Sequence, residues 1–84
     1  MVHINLVEAP ADTELEVLEI NANEAIKKRL ISMGIHPGDN VIKYTTAPWG
    51  PLLVKNTTLN SSKIAICRAL ASAIQIGYNN GKPV

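Results

Sequence analysis

The sequence predicts a small, single-domain, mainly β protein carrying one α-helix. Three observations lead there. The chain has 84 residues, enough for one domain and too few for two. Short segments of alternating or β-branched residues are separated by Pro, Gly, Asn and Asp turn signals. Only one stretch, 22–33, combines helical periodicity with start and stop signals at both ends.

The elements follow in order. Val2, Ile4 and Leu6 alternate with His3 and Asn5, which suggests a short strand or extended arm. Ala9-Pro10-Ala11-Asp12 is a turn signal. Residues 14–20 read as a strand, with Leu15 and Val17 alternating with Glu14 and Glu16. Glu19 breaks phase against Leu18 and Ile20, which a β-bulge or a strand buried on both faces near its end would account for. Asn21 to Glu24 resembles a capping box, with Asn21 as the expected cap. Ala22, Ala25, Ile26, Leu30 and Met33 then form an apolar arc at about 100° per residue. Glu24 and Lys28 are spaced four apart in the favourable order. Gly34 can take a positive φ beyond the helix end, and Pro37 follows. His36-Pro37-Gly38-Asp39 is a turn. Residues 40–46 suit a strand, residues 47–51 a loop because two prolines and a glycine interrupt any ladder, and residues 52–57 a strand again. Asn60-Ser61-Ser62 is a further turn.

The C-terminal part allows two readings. Ile66, Ala69, Leu70, Ala73 and Ile74 fit a helix over 64–75, which periodicity slightly favours. The alternative is a strand at 63–66, a short helical turn at 67–72 and a last strand at 73–77. Residues 78–84, with two asparagines, a glycine and a proline, read as a tail beyond a domain of residues 1–77.

Eight basic and seven acidic residues leave a formal charge of +1, which argues against a general nucleic-acid binder. The charge is uneven. All seven acids lie in residues 1–39 with Lys27, Lys28 and Arg29, a net of −4. Residues 40–84 hold Lys43, Lys55, Lys63, Arg68 and Lys82 and no acid, a net of +5. Such a split either steers docking or reflects lysines that keep sheet edges apart. The single cysteine, Cys67, excludes an intrachain disulfide framework and fits a reducing compartment. No apolar run approaches the roughly 20 residues of a membrane-spanning helix, and no secretory leader is evident at residues 1–10. A cytoplasmic location is expected.

A series of motifs carries a family resemblance. Lys28 to Gly38, KRLISMGIHPG, resembles the RRLLxLGLxPG signature of the ferrous iron transport accessory protein FeoA. Ala47-Pro48-Trp49-Gly50-Pro51 is similar to that family's AP-x-G-x-P loop. Residues 64–71, IAICRALA, are similar to its xxALRxxEA segment, and Ile74 and Ile76 match its closing strand. The resemblance covers residues 4–77. Two departures stand out: Ala11-Asp12 replaces a usual glycine before the first long strand, and Ala69-Leu70-Ala71 lacks a usual acid. The resemblance implies an SH3-like β-barrel of about five strands with the helix inserted after the first long strand. It selects the strand, short helix near 67–72, strand reading of the C-terminal part. It also implies a role in ferrous iron uptake and a partner, the cytoplasmic GTPase region of the FeoB-type transporter. The membrane would then be reached through that partner. Weak self-association stays open.

No arrangement of residues points to catalysis. The chain has no phosphate-binding loop and no His-x-x-x-His, Cys-x-x-Cys or Glu-x-x-His spacing. No catalytic residue, cofactor or intrachain metal site is expected; a metal bridging two chains through His3 or His36 is the likelier form of any metal contact. Cys67, within an apolar run, is expected to be a buried small hydrophobe. Binding residues are the better candidates. Trp49 lies in a proline-bounded loop, and either folds back over the barrel end or, with Gly50, Pro51 and Leu52, inserts into a partner. Ile31 is expected about 180° from the centre of the apolar arc, as part of a contact patch beside that loop. Lys27 and Lys28 are candidate rim charges. Arg29 falls inside the expected arc, and either covers the barrel rim with its stem or reaches a nucleotide-binding partner. A regulatory or nucleic-acid-binding SH3-like module is the competing function, kept open by the basic second half.

Overall fold

The computed structural model describes residues 2–44 and 48–78, with no account of the side chains of Val2 and His3. Six strands and two helices follow one another: β1 (Val2–Asn5), β2 (Glu14–Ile20), α1 (Glu24–Ser32), β3 (Asn40–Lys43), β4 (Leu52–Asn56), β5 (Ile64–Ile66), α2 (Arg68–Ala71) and β6 (Ile74–Tyr78). The strands form one sheet in the order β1-β6-β2-β3-β4-β5, and every neighbouring pair is antiparallel. The mainly β class is as expected, with two differences. The N-terminal arm is a sixth strand, paired with β6 from Val2↔Tyr78 to Asn5↔Gln75. No ladder joins β1 to β5 among the described residues, so hydrogen bonds do not close the sheet into a barrel.

The strand expected over residues 14–20 forms with those bounds. Its pairing with β6 shifts register between Val17 and Glu19, where the break in alternation places a bulge. Ile20 thereby returns to the buried side, only 5% exposed. The strand expected at 40–46 pairs through Lys43, and Thr45, Thr46 and Ala47 lie outside the described residues. The C-terminal region is strand, short helix, strand, so the long helix favoured by periodicity does not form. β6 is held between β1 and β2, and this two-sided pairing outweighs a helical pattern of modest strength. Tyr78 belongs to β6 and not to a tail; residues 79–84 lie outside the described residues.

Asp12 explains one departure from the family pattern. Its φ is +57°, the left-handed conformation that a glycine would otherwise supply. Aspartate is among the few side chains that adopt it readily. Its N–H donates to the Lys43 carbonyl at 2.8 Å, which fixes the entry to β2.

Helix α1 is shorter than the expected 22–33 and starts from a different cap. The Asn23 side chain accepts from the Ile26 N–H at 3.0 Å. Asn21 instead donates its own N–H to the Ala73 carbonyl, extending the strand contact. The helix ends on Gly34, whose φ of +98° meets the expectation for that position. Leu30 is fully buried, with Ile26, Lys27 and Met33 half-buried beside it, while Ala25 and Arg29 are exposed. The packed arc therefore centres on Leu30 and not on Arg29. The larger side chains at 26, 30 and 33 decide the rotation, because a methyl at position 25 buries little apolar area.

The core gathers one cluster from all parts of the chain, including Leu6, Leu15, Val17, Leu30, Ile35, Val41, Leu52, Val54, Ile66, Ile74 and Ile76. Among the described residues two polar side chains share it, Lys43 and Asn56. Both are in phase with buried neighbours, Lys43 with Val41 and Asn56 with Leu52 and Val54. Lys43 donates to the carbonyls of Leu6 and Val7 at 3.2 and 2.9 Å, tying the turn after β1 to the sheet. Burial, and then the charge of Arg68, lower the pKa of this ammonium.

Candidate interaction surface

The turn between α1 and β3 is held from beneath by one buried amide. Asn56 donates to the Gly34 carbonyl at 2.7 Å and to Asp39 Oδ2 at 2.9 Å. Its Oδ1 accepts from the Leu59 N–H at 3.0 Å. The amide thus couples the end of α1, the 36–39 turn and the β4–β5 connection. His36 Nδ1 lies 2.9 Å from the same Asp39 oxygen. The Asp39 pKa is lowered chiefly by the Asn56 hydrogen bond; burial opposes the shift, and the bond and charge of His36 reinforce it. Gly38, with φ +92°, donates to the Val17 carbonyl at 2.7 Å and fastens the turn to β2.

Above this support lies a groove of about 180 Å3, lined by Glu19, Ile20, Lys27, Ile31 and Pro37. An apolar cavity of about 150 Å3 accommodates one benzene-sized group, so the groove has room for roughly one large side chain. Ile31 is 45% exposed at its edge. With the packed arc centred on Leu30, Ile31 sits about 100° from that centre and not opposite it. This places it on the flank of the helix that also carries Lys27. Lys27 Nζ is 3.8 Å from Glu24 on an exposed flank, a contact of small energetic weight. Lys28 and Arg29 are exposed outside the groove.

The other expected binding residues lie elsewhere. The 36–39 turn enters β3 at Asn40, whereas the loop carrying Trp49 leaves β3 beyond Lys43. Ile31 and Trp49 therefore belong to opposite ends of the β2–β3 ladder, and the expected single patch is split in two. Trp49 is 76% exposed, so its ring does not fold back over the sheet. Gly50 is half-buried and Pro51 exposed. Leu52 is 1% exposed and belongs to the core, which removes it from any inserting loop. It begins β4 in the inward phase shared with Val54.

Cys67 is exposed, contrary to expectation. It follows the inward Ile66 and therefore falls on the opposite side of the chain. Among the described residues no three His, Cys, Asp or Glu side chains gather as a metal-binding group. The His3 side chain, considered for a metal bridge, lies outside the described residues. Among the described residues no helix is long and apolar enough to cross a membrane.

Reasoning from sequence missed Glu19, Ile20 and Pro37 as groove walls, since their proximity to α1 is a product of folding. Asn56 and Lys43 left a signal that was readable: each is a polar residue in the inward phase of its strand.

Comparison with known proteins accords with this architecture. The FeoA domain model matches residues 4–77. Among curated proteins nothing matches. An iron uptake regulatory protein, FeoA, in a crystal structure shares 21% identity and a TM-score of 0.79, over 92% of this chain and 97% of the other. FeoA from Chlorobium tepidum shares 26% identity with a TM-score of 0.72, over 87% of this chain and 68% of the other. Stenotrophomonas maltophilia FeoA, a prokaryotic SH3 domain protein solved in complex with zinc, shares 26% identity with a TM-score of 0.65, over 88% and 89% of the two chains. With the family model spanning almost the whole of this one-sheet domain, the chain belongs to the FeoA family of ferrous iron transport.

Proposed function

We propose that the protein is a cytoplasmic accessory module of ferrous iron uptake that docks on the GTPase region of a FeoB-type transporter and performs no chemistry of its own. Family membership supports the transport role. The observation that carries the docking surface is the α1 groove, a preformed recess with the exposed Ile31 at its rim. The groove takes one large apolar side chain of the partner. Glu19 and Lys27 at its walls give that contact an orientation, favouring a base near one side and an acid near the other. Because Asn56 already fixes the 34–39 turn, little ordering entropy opposes binding.

Calorimetry with the transporter's cytoplasmic GTPase domain tests this reading. Ile31→Glu places a carboxylate at the apolar rim and is expected to weaken binding at least tenfold, an effect of about 1.4 kcal/mol or more. Lys27→Gln is expected to weaken it less. Unaltered binding by both variants contradicts the assignment of the groove. Binding of RNA with a steep salt dependence would favour the competing nucleic-acid reading.

A further inference from the structure

Two features of this chain match each other and cannot meet within one molecule. The first is Trp49, at 76% the most exposed large apolar side chain among the described residues. An indole in water forgoes the burial that makes aromatic rings dominant at interfaces. The second is the α1 groove, whose walls set three requirements. Ile20, Ile31 and Pro37 offer apolar surface, Lys27 a cation and Glu19 a carboxylate. An aliphatic side chain meets only the first. An indole meets all three: its ring buries against the apolar walls, its π face attracts an ammonium, and its Nε1–H donates to a carboxylate. The groove's volume of about 180 Å3 exceeds the roughly 150 Å3 that takes a benzene ring. The chain has no phenylalanine, and its two tyrosines are engaged elsewhere. Tyr44 is half-buried with the Lys63 ammonium 4.5 Å over its ring, and Tyr78 is half-buried at the end of β6. Trp49 does not reach the groove of its own chain, because its loop leaves β3 beyond Lys43 whereas the groove adjoins the turn that enters β3 at Asn40.

We propose that Trp49 of one molecule occupies the α1 groove of a second copy, so that the chain associates with itself head to tail. The contact joins two different surfaces and is therefore heterologous: each copy offers one indole and one groove. It rests on the groove being a docking site, as in the reading above, but not on the transporter as its occupant. Lys27 gives up only its 3.8 Å contact with Glu24, an exposed pair of small energetic weight, to lie against the ring. One ring in one recess binds weakly, with a Kd on the order of 1 mM. At the tens of micromolar of a binding titration the chain is then a monomer with a free indole. Self-association and partner docking use the same recess, so a tighter-binding partner excludes the second copy.

The test separates indole from groove by using two variants of the full chain, with no transporter present. The Ile31→Glu chain keeps its indole and has a spoiled groove; the Trp49→Ala chain keeps its groove and has no indole. Both substituted side chains are exposed, and dispersed amide spectra confirm that each variant is folded. The 15N-labelled Ile31→Glu chain is held at about 0.05 mM, and unlabelled Trp49→Ala chain is added to about 2 mM, a range that spans the expected Kd. The labelled indole N–H signal is expected to shift, half-way at about 1 mM. Unlabelled Ile31→Glu chain added in its place should leave the indole unmoved. Trp49→Ala chain that also carries Lys27→Gln or Glu19→Gln is expected to bind at least threefold more weakly, since each removes one of the matched walls. An indole unmoved by the Trp49→Ala chain overturns the proposal. So does an equal shift with unlabelled Ile31→Glu chain, which would place the indole on another surface. Either failure leaves docking of the transporter in the groove standing, because that partner is absent from the titration.

Discussion

At the α1 end of the β2–β3 ladder, Asn56, Asp39, His36 and the Gly34 carbonyl are joined by hydrogen bonds of 2.7–2.9 Å, and a shallow groove lies above them. At the other end, a short proline-bounded tip holds Trp49 in solvent. The first region is a recess whose shape is set before anything binds. The second is a projection whose side chain has most of its surface still to bury. A recess of this kind selects a partner by fit, whereas a projection gains by entering whatever surface will take it. The two ends accordingly have different dependences on stability, pH and mutation.

The largest effect is expected at the buried amide. Asn56→Ala removes two donors and one acceptor together and leaves the Gly34 carbonyl and the Leu59 N–H without them. A loss of about 2–3 kcal/mol is expected in denaturant melts, since desolvated polar groups left unpaired cost about 1–3 kcal/mol each. A change below about 0.5 kcal/mol would mean that the turn is not held from beneath as described.

A second effect distinguishes the ends by pH. The folded state lowers the pKa of Asp39, so its contribution to stability is complete above its unfolded value. That contribution is lost as pH falls from about 4 through the folded value. Asp39→Asn is therefore expected to flatten the acid side of the stability curve, measured by thermal melts across that range. An acid profile unchanged by the substitution would break the link between Asp39 and the turn.

The smallest effect is expected at the projection. Trp49→Ala should alter stability by no more than about 0.5 kcal/mol, because an exposed side chain adds little to the fold. A larger loss would show that the indole packs against the sheet and that the two ends are less different than described.

How much of this was readable beforehand depends on the element. The residue 14–20 strand and the positive φ at Gly34 followed from alternation and turn chemistry, which act within a few residues, and the register shift between Val17 and Glu19 selects the bulge from the two readings of the phase break. The helical pattern over 64–75 taken alone pointed the wrong way, because the pairing of β6 on both sides is set by strands distant in sequence, and the family resemblance selected the strand, short helix, strand order that forms. The exposure of Ile31 was expected from its position and that of Trp49 was one of two readings, but their separation to opposite ends of the ladder was not foreseen. A helical wheel shows which side chains share a face; it cannot show which strand end that face adjoins. Leu52 was misplaced for a related reason. Adjacent to a loop in sequence, it is nonetheless the first inward residue of β4.

The central claim is that a partner occupies the groove of α1 and not the far end of the sheet. Amide spectra of the 15N-labelled chain, titrated with the transporter's GTPase domain, test it most directly. The account predicts shifts concentrated at Glu19, Ile20, Lys27 and Ile31, with the Trp49 indole signal unmoved. Shifts at the Trp49 indole and its neighbours, with the α1 signals unchanged, would contradict it.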